Sequence, residues 1–229
     1  MPLECSGLVI MSRHPIAHVQ FRPFTRRGYL LNFDGEVFAR KGLASARILF
    51  HDLTVDVFTS HFASYRDDPR TNGLVRRRQT LETVAAVAAS DADLKVFGGD
   101  INALPAASFP GVPYNILTSA MTDACAERFP PYHRARGGTR GPGGGGARMH
   151  PVFDTYGNRR NSYTGDSTHN GRIDYLMYAN GRPGRLRVYT REFGLPPLTW
   201  RSSSTGKTRI SISDHEPLLA EFAISRLQR

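Results

Sequence analysis

Cysteine is scarce in this 229-residue sequence, which contains only Cys5 and Cys125. Two cysteines cannot form a disulfide framework, and we therefore expect a reducing compartment. Long apolar runs are also missing, because the stretch at residues 8–11 is far shorter than the roughly 20 residues that span a bilayer. The first residues lack the basic flank and apolar core of a secretory signal. These absences predict an intracellular protein without a transmembrane helix.

Lysine is scarce as well, because Lys41, Lys95 and Lys207 are the only lysines among 30 cationic residues. The other cations are arginines, which bind phosphate oxygens in a bidentate manner. With 20 acidic residues, the formal net charge is +10. A charge of this size favours polyanionic partners such as nucleic acid, anionic lipid head groups and phosphorylated substrates. A compositional bias that enriches arginine, glycine and alanine together would produce the same excess.

The length and the apolar content of 40% fit a single domain over residues 1–229 with a sizeable core. Short apolar or alternating segments predict several strands, and two of them flank a turn at His51 and Asp52 as a hairpin. Few helical segments lie between the strands. This pattern favours an α/β (α+β) fold of two packed, mainly antiparallel sheets flanked by helices. The expected strands cover residues 6–12, 43–50, 53–60, 94–97, 172–178, 185–189 and 216–224.

Helical periodicity is clearest at residues 73–90, and a second, shorter helix is expected at residues 116–127. Residues 130–149 are rich in glycine, proline and arginine and include an unbroken glycine run. Such a segment buries too little apolar surface to offset its ordering entropy, so we expect a flexible surface insertion. The buried face of the first helix is expected to comprise Leu74, Leu81, Val84, Ala85 and Ala88.

The most informative motif follows the expected strand at residues 94–97, where two glycines lead to Asp100 and Asn102. Side chains two positions apart on a strand point to the same side. We therefore expect this carboxylate and this amide to lie together at the end of the strand. Such a pair can hold a phosphoryl oxygen and an attacking water. An ordinary turn that contains Asp would present the same residues.

A second motif, Asp214 and His215, directly precedes the last expected strand. A carboxylate is a hard oxygen ligand for Mg²⁺, and the imidazole beside it titrates near neutrality, with a reference pKa of about 6.5. The pair could therefore combine metal binding with proton transfer. A solvated surface loop is the alternative interpretation.

Asp174 and His61 complete the candidate residues. Asp174 lies within an apolar strand, where a carboxylate needs a partner. A nearby histidine would serve, and pairing with Arg172 or another cation is the alternative. His61 ends the expected strand at residues 53–60, where its imidazole could donate a hydrogen bond to a phosphoryl oxygen. A structural histidine at the end of a strand is the alternative.

In their order along the chain, these motifs resemble the neutral sphingomyelinases and, more broadly, the endonuclease/exonuclease/phosphatase superfamily. Gly-Asp-x-Asn at residues 99–102 followed by Ser-Asp-His at residues 213–215 is typical of the superfamily. The segment 6–16 and the His-x-Ala-x-Tyr spacing at residues 61–65 point to the sphingomyelinase branch. Residues 161–163 and 172–175 match as well. The resemblance covers nearly the whole chain and implies a four-layer α/β/β/α sandwich.

The resemblance assigns a role to each catalytic candidate. It implies that His215 is the general base for the water that attacks phosphorus and that Asp174 orients its imidazole. It also implies that Asp100 and Asn102 position water and phosphate, and that His61 stabilises or protonates the phosphoryl oxygens. A well-placed acid or base contributes roughly 10²- to 10⁴-fold in rate, so His215→Ala is expected to be nearly inactive.

The metal and phosphate assignments follow from the same resemblance. Asp214 would belong to the shell of a bound Mg²⁺, with Mn²⁺ as the alternative ion. Lys41 falls in a segment of small residues where such sphingomyelinases resemble one another, and its ammonium could contact phosphate. A surface lysine without such a role is the alternative.

The resemblance fails at the start of the chain. Members of the superfamily normally begin with strands that supply a glutamate as the principal Mg²⁺ ligand, and Glu4 lies too close to the segment at residues 6–12 to be that residue. We therefore expect an N-terminally incomplete domain that lacks the first strands, with Mg²⁺ binding weakened. A pseudoenzyme and a fragment completed by another chain are the alternatives.

The function that the resemblance implies is phospholipase C-type hydrolysis of a phosphosphingolipid such as sphingomyelin, releasing ceramide and a phosphorylated head group. The expected partner surface is an anionic membrane, with peripheral attachment of a monomeric protein. A nuclease or abasic-site endonuclease is the alternative enzyme, because the net charge of +10 suits nucleic acid equally well. A basic module that binds anions or membranes without catalysis is the alternative outside the enzymes.

Overall fold

The computed structural model describes residues 6–28, 39–64, 71–105, 112–129, 154–156, 171–181, 184–196, 199–200, 210–211 and 213–227. The expected flexible insertion at residues 130–149 and the matching segment at residues 161–163 lie outside them. The described elements are, in order, β1 (Ile16–Pro23), β2 (Gly42–Phe50), β3 (Leu53–His61), α1 (Thr71–Ala89), β4 (Leu94–Asp100), α2 (Pro113–Thr118), β5 (Thr122–Asp123), α3 (Ala124–Arg128), β6 (Asp174–Asn180), β7 (Leu186–Gly194), β8 (Thr199–Trp200), β9 (Ile210–Ser211) and β10 (Leu219–Arg226).

The central layer is a six-stranded sheet with the order β1-β2-β3-β4-β6-β5. Its neighbouring strands pair antiparallel, except for the parallel pair β3 and β4 that helix α1 connects. The expected hairpin is confirmed, since β2 pairs with β3 and Phe50 lies opposite Leu53. His51 in the turn has a φ of 53°, a left-handed conformation that few residues other than glycine adopt.

Each face of this sheet is covered by a different layer. The alternating side chains of β3, β4 and β6 place Phe58, Phe97 and Met177 against α1 and α2 in one apolar cluster. The opposite face packs against the two-stranded sheet of β7 and β10, with Tyr178 and Val188 in the shared cluster. The expected class of two packed sheets flanked by helices is therefore confirmed. No helix in the described ranges is long and apolar enough to span a membrane.

The strand expected at residues 6–12 is wrong. These residues have no regular secondary structure, and the first strand begins at Ile16, after Pro15. Val9 and Met11 are 72% and 88% exposed. An apolar run becomes a strand only where a neighbouring strand accepts its backbone hydrogen bonds, and β1 occupies the position next to β2.

Helix α1 is confirmed, but four of the five residues expected on its buried face are exposed, and only Val84 packs against the core. Leu74 and Leu81 are 62% and 37% exposed, and Ala85 and Ala88 are exposed as well. The buried face instead consists largely of polar side chains together with two valines, namely Asn72, Val75, Arg76, Gln79, Thr80, Thr83 and Val87. Apolar periodicity therefore identified the helix and not its orientation.

Two of the buried polar side chains of α1 bind backbone groups of the segment after β3, while Thr80 and Thr83 donate to carbonyls of α1 itself. The Gln79 amide accepts a hydrogen bond from Ala63 N at 2.9 Å, and the Arg76 guanidinium donates to Ser64 O at 2.6 Å. Buried polar groups cost little when they are hydrogen-bonded in this way. The face therefore holds the chain directly after His61 against the helix.

The single helix expected at residues 116–127 is wrong in its extent. The chain forms α2, the short strand β5 and then α3. Asp123 interrupts the helix because its side chain accepts a hydrogen bond from Cys125 N at 3.0 Å and caps α3. Cys125 itself is buried, and burial raises the pKa of its thiol to about 12.

Candidate functional site

Sheet pairing places three of the candidate residues in one row. In the parallel ladder of β3 and β4, His61 lies opposite Asp100, and in the antiparallel ladder of β4 and β6, Asp100 lies opposite Asp174. Directly opposed residues on neighbouring strands point to the same face. The distance from His61 Nε2 to Asp100 Oδ2 is 3.6 Å. The row lies at the edge of the sheet where β3 and β4 end and β6 begins.

His215 reaches this row from the loop before β10. Its Nδ1 lies 2.7 Å from Asp174 Oδ2, and its side chain is partly buried. His215 N also donates to Ser213 Oγ at 3.1 Å, which shapes the turn. The alternative partner for Asp174 is wrong, because the Arg172 guanidinium binds Asp123 instead, at 2.9 and 2.5 Å.

Asn102 lies beside Asp100 and is held by one backbone and one side-chain hydrogen bond. Its backbone N donates to Asp100 Oδ1 at 2.7 Å, and its Nδ2 donates to Phe62 O at 3.2 Å. Asn102 has a φ of 49°, which asparagine tolerates better than most residues. This bend ends β4 and turns the amide towards the chain that follows His61.

Lys41 approaches the same carbonyl from the other side. Its Nζ donates to Phe62 O at 2.8 Å, and the side chain is only 8% exposed. The alternative of a surface lysine is therefore wrong. Burial and then the positive charge of Lys41 lower the pKa of His61, and the same charge opposes part of the rise in the pKa of Asp100. Lys41 thus contributes to the electrostatics of the site, while its contact with phosphate stays a prediction.

The pKa values of three site residues are strongly perturbed. Burial and then the charge of Asp174 raise the pKa of Asp100 to about 7. Burial alone would lower the pKa of His215, but its hydrogen bond to Asp174 and the nearby carboxylate charges outweigh burial and raise it to about 9. Burial and the charge of Lys41 hold the pKa of His61 below its ordinary value, so this imidazole is neutral at pH 7.

The arrangement fits a divalent cation. One ligand atom each of Asp100, Asp174 and His215 lies within 4.8 Å of the others. Carboxylate oxygens are the ligands that Mg²⁺ prefers. The repulsion that raises the pKa of Asp100 would be relieved by a cation between the two carboxylates. Asp214 is exposed, and its charge acts on His61 and His215, so it lies close to this cluster.

Thr155 and Tyr156 also build the site, and sequence reasoning missed both. Thr155 Oγ1 accepts hydrogen bonds from Ile173 N and Asp174 N at 3.1 and 3.2 Å. Tyr156 forms a backbone bridge with His215, and the two rings lie 5.3 Å apart. This short segment therefore connects the two residues of the Asp174–His215 pair. No periodicity or motif in the sequence marks it.

Solved structures share this fold. A structure of TDP2 from D. rerio complexed with single-strand DNA product matches with a TM-score of 0.61 at 15% identity, over 91% of this chain and 68% of that one. Sphingomyelinase C from Streptomyces griseocarneus matches with a TM-score of 0.54 at 19% identity, over 95% and 66%. An endonuclease/exonuclease/phosphatase from Beutenbergia cavernae matches with a TM-score of 0.53 at 17% identity, over 95% and 46%.

These likenesses establish the fold, which is the α/β sandwich of endonuclease/exonuclease/phosphatase structures. The chain spans about two thirds of the length of the first two of these proteins. No protein-family model matches the sequence, and no curated protein matches it.

Proposed function

We propose that this chain hydrolyses phosphodiesters with the help of a divalent cation, with His215 as the general base. The observation that carries the proposal is the 2.7 Å contact between His215 Nδ1 and Asp174 Oδ2, next to a second carboxylate at Asp100. A carboxylate that holds one imidazole nitrogen leaves the other nitrogen to accept a proton. The fold shared with enzymes that act on phosphoesters supports the same conclusion.

His215 and Asp174 would activate the attacking water. In the neutral form of His215, with Nδ1–H donated to Asp174, the lone pair on Nε2 can take a proton from that water. A divalent cation bound beside Asp100 would supply positive charge that polarises a phosphoryl oxygen. The negative charges of Asp100 and Asp214 help to raise the pKa of His215, so neutralising them increases the fraction of neutral base.

The remaining site residues suit the phosphoryl oxygens. His61 is neutral at pH 7, which supports a role as a hydrogen-bond donor rather than as the acid of the reaction. Asn102 is oriented by Asp100 and Phe62 and offers its amide beside them. Lys41 contributes a buried positive charge on the same side. We assign phosphate binding to these three residues and a place in the metal shell to Asp214.

The first candidate substrate is a phosphosphingolipid, cleaved to ceramide and a phosphorylated head group. The His-x-Ala-x-Tyr spacing at residues 61–65 supports it, as does the likeness to the sphingomyelinase C structure. An anionic membrane would then be the surface on which the protein works, and the net charge of +10 suits that surface. We expect the protein to act there as a peripheral monomer.

The second candidate substrate is nucleic acid. The same charge of +10 favours a phosphate backbone, and the D. rerio TDP2 structure contains single-strand DNA product. In this proposal the row of His61, Asp100 and Asp174 would act on the phosphodiester group, which both substrate classes share, so the row suits either substrate.

The test is hydrolysis by the purified chain with Mg²⁺, with Mn²⁺ and with EDTA. The substrates are choline-type and inositol-type phosphosphingolipids in anionic vesicles, and nicked and abasic DNA duplexes. We expect cation-dependent hydrolysis of one class, and a roughly 10²- to 10⁴-fold loss in His215→Ala. His51→Asn is the matched control, because His51 lies in the hairpin turn and asparagine tolerates its φ of 53°.

Equal rates for His215→Ala and the wild type would refute the assignment of the base. A binding-only module predicts a different result, namely no hydrolysis of any substrate and no heat on titration with Mg²⁺.

A further inference from the structure

Tyr175 occupies an unusual position between the two chain segments that carry the site. It follows Asp174 on β6 and is fully buried on the helix-facing side of the sheet. Its hydroxyl oxygen lies 2.8 Å from both Ala103 O and Arg172 O. The single hydroxyl proton is thus shared between carbonyls of two segments that are far apart in sequence.

The two segments, one containing Ala103 and the other Arg172, carry the site residues, so the distance between them must stay fixed. Ala103 directly follows Asn102, and Arg172 lies two residues before Asp174. The regular ladder of β4 and β6 ends at the pair of Asp100 and Asp174. Beyond it, the segments are joined by the hydrogen bond from Ile101 N to Ile173 O at 2.9 Å and by the Tyr175 hydroxyl.

The ring of Tyr175 is itself held in place by a buried cation. The Arg172 guanidinium lies 4.3 Å from the ring centroid and is fixed by its bidentate pairing with Asp123. Burial raises the pKa of the Tyr175 hydroxyl far above its ordinary value, so the group stays a donor at any working pH. The bridge is therefore rigid and permanently protonated.

We infer that Tyr175 is a positioning residue, whose hydroxyl sets the distance between the Asp100–Asn102 segment and the Asp174–His215 pair. Without this hydroxyl, the hydrogen bond that links Ala103 O and Arg172 O through one side chain is lost, and the ends of the two segments can separate. Displacements of about 1 Å near a reacting group can cost about 10²-fold in rate. The kinetic part of this inference rests on the proposed function, and the structural part does not.

The matched control is Tyr178 on the same strand. Its hydroxyl is also buried and contacts Glu127 Oε1 at 2.8 Å and Val188 O at 3.1 Å, which ties β6 to α3 and β7. Tyr175→Phe and Tyr178→Phe each remove one buried hydroxyl and keep the ring. Both variants are expected to have similarly lowered urea midpoints. A difference between them in the behaviour of the site residues would then reflect the position of the lost hydroxyl and not a difference in global stability.

The first measurement is the NMR signal of the His215 Nδ1 proton in the metal-free protein, assigned by its loss in His215→Ala. We expect it to exchange at least about tenfold faster in Tyr175→Phe and at the wild-type rate in Tyr178→Phe. Replacing Tyr175 with 4-aminophenylalanine restores a hydrogen-bond donor at the same place and should return the exchange of the His215 Nδ1 proton to the wild-type rate. The second measurement is kinetic: kcat should fall about 10- to 100-fold in Tyr175→Phe, with KM nearly unchanged.

Equal proton exchange in the two phenylalanine variants would overturn the inference. So would failure of Tyr175→Phe to fold while Tyr178→Phe folds, because the hydroxyl would then serve the fold as a whole. If the wild type hydrolyses no phosphodiester, the proposed function fails, and the proton-exchange comparison still decides the role of Tyr175.

Discussion

Asp100→Asn removes a negative charge from a position where the folded chain disfavours it. Burial and the charge of Asp174 raise the pKa of Asp100 from 3.8 to about 7. A carboxyl group whose pKa is higher in the folded state destabilises the fold as the pH rises from the unfolded to the folded value. The ionised Asp100 carboxylate therefore lowers the free energy of unfolding above pH 7 and has almost no effect on it near pH 4.

The size of the effect follows from the same values. At about 1.4 kcal/mol per pKa unit, a pKa raised from 3.8 to about 7 corresponds to an upper limit of about 4 kcal/mol at pH 8. Asparagine weakens the hydrogen bond that Asn102 N donates to Asp100 Oδ1, which costs roughly 1 kcal/mol. We expect Asp100→Asn to be more stable than the wild type by about 1 to 3 kcal/mol at pH 8 and to be inactive.

The assay is urea unfolding in EDTA at pH 8 and at pH 4, followed by a titration with Mg²⁺ at pH 8. The advantage of the variant should disappear at pH 4. Added Mg²⁺ should stabilise the wild type more than the variant, because a ligand that binds only the folded state raises its stability.

Asp56→Asn is the control, for which we expect the opposite change in stability at pH 8. Burial alone would raise the pKa of Asp56, but hydrogen bonds from Arg47 and Ser90 outweigh it and lower the pKa. A lowered pKa contributes stability above the unfolded value, so Asp56→Asn should be less stable than the wild type at pH 8. If Asp100→Asn were also less stable at pH 8 in EDTA, the argument for a repelled, buried carboxylate would fail.

Two further variants test the contacts around the site. Asp174→Asn should lower the pKa of the His215 imidazole from about 9 towards its ordinary value, because the charge and the hydrogen bond that raise it are lost. NMR titration of the ring measures this, and an unchanged pKa would contradict the pairing. Arg172→Met should cost about 3 to 5 kcal/mol in unfolding free energy, because it leaves the buried carboxylate of Asp123 without its cation. Urea unfolding measures the loss, with Arg191→Ala as the exposed control, and equal stability of the two variants would contradict it.

Local patterns predicted much of the fold. Alternating apolar residues and a two-residue turn identified the hairpin of β2 and β3, because both signals lie within one short stretch of chain. The strand that delivers Asp100 was equally clear from its apolar residues and the glycines after them. The apolar strand around Asp174 predicted that its carboxylate would need a partner. In the structure that partner is His215.

The orientation of α1 could not be predicted in this way. Gln79 and Arg76 on its buried face bind Ala63 N and Ser64 O, which reach the helix only once β3 and α1 have packed. Thr155 is similar, because its hydroxyl acquires a role only when Asp174 is brought next to it. In both cases the energy of a polar side chain depends on partners that are distant in sequence.

The raised pKa values of Asp100 and His215 depend in part on sheet register. The ladders place Asp100 directly between His61 and Asp174, and His215 contacts Asp174 from the loop before β10. Burial and then the charge of Asp174 raise the pKa of Asp100, while the hydrogen bond and charge of Asp174 outweigh burial and raise the pKa of His215. A shift of one strand by a single residue would turn its side chain to the other face and remove the contribution of Asp174 to both pKa values. The contacts that fix the register, including the Tyr175 bridge, therefore act on the chemistry of the site through its electrostatics.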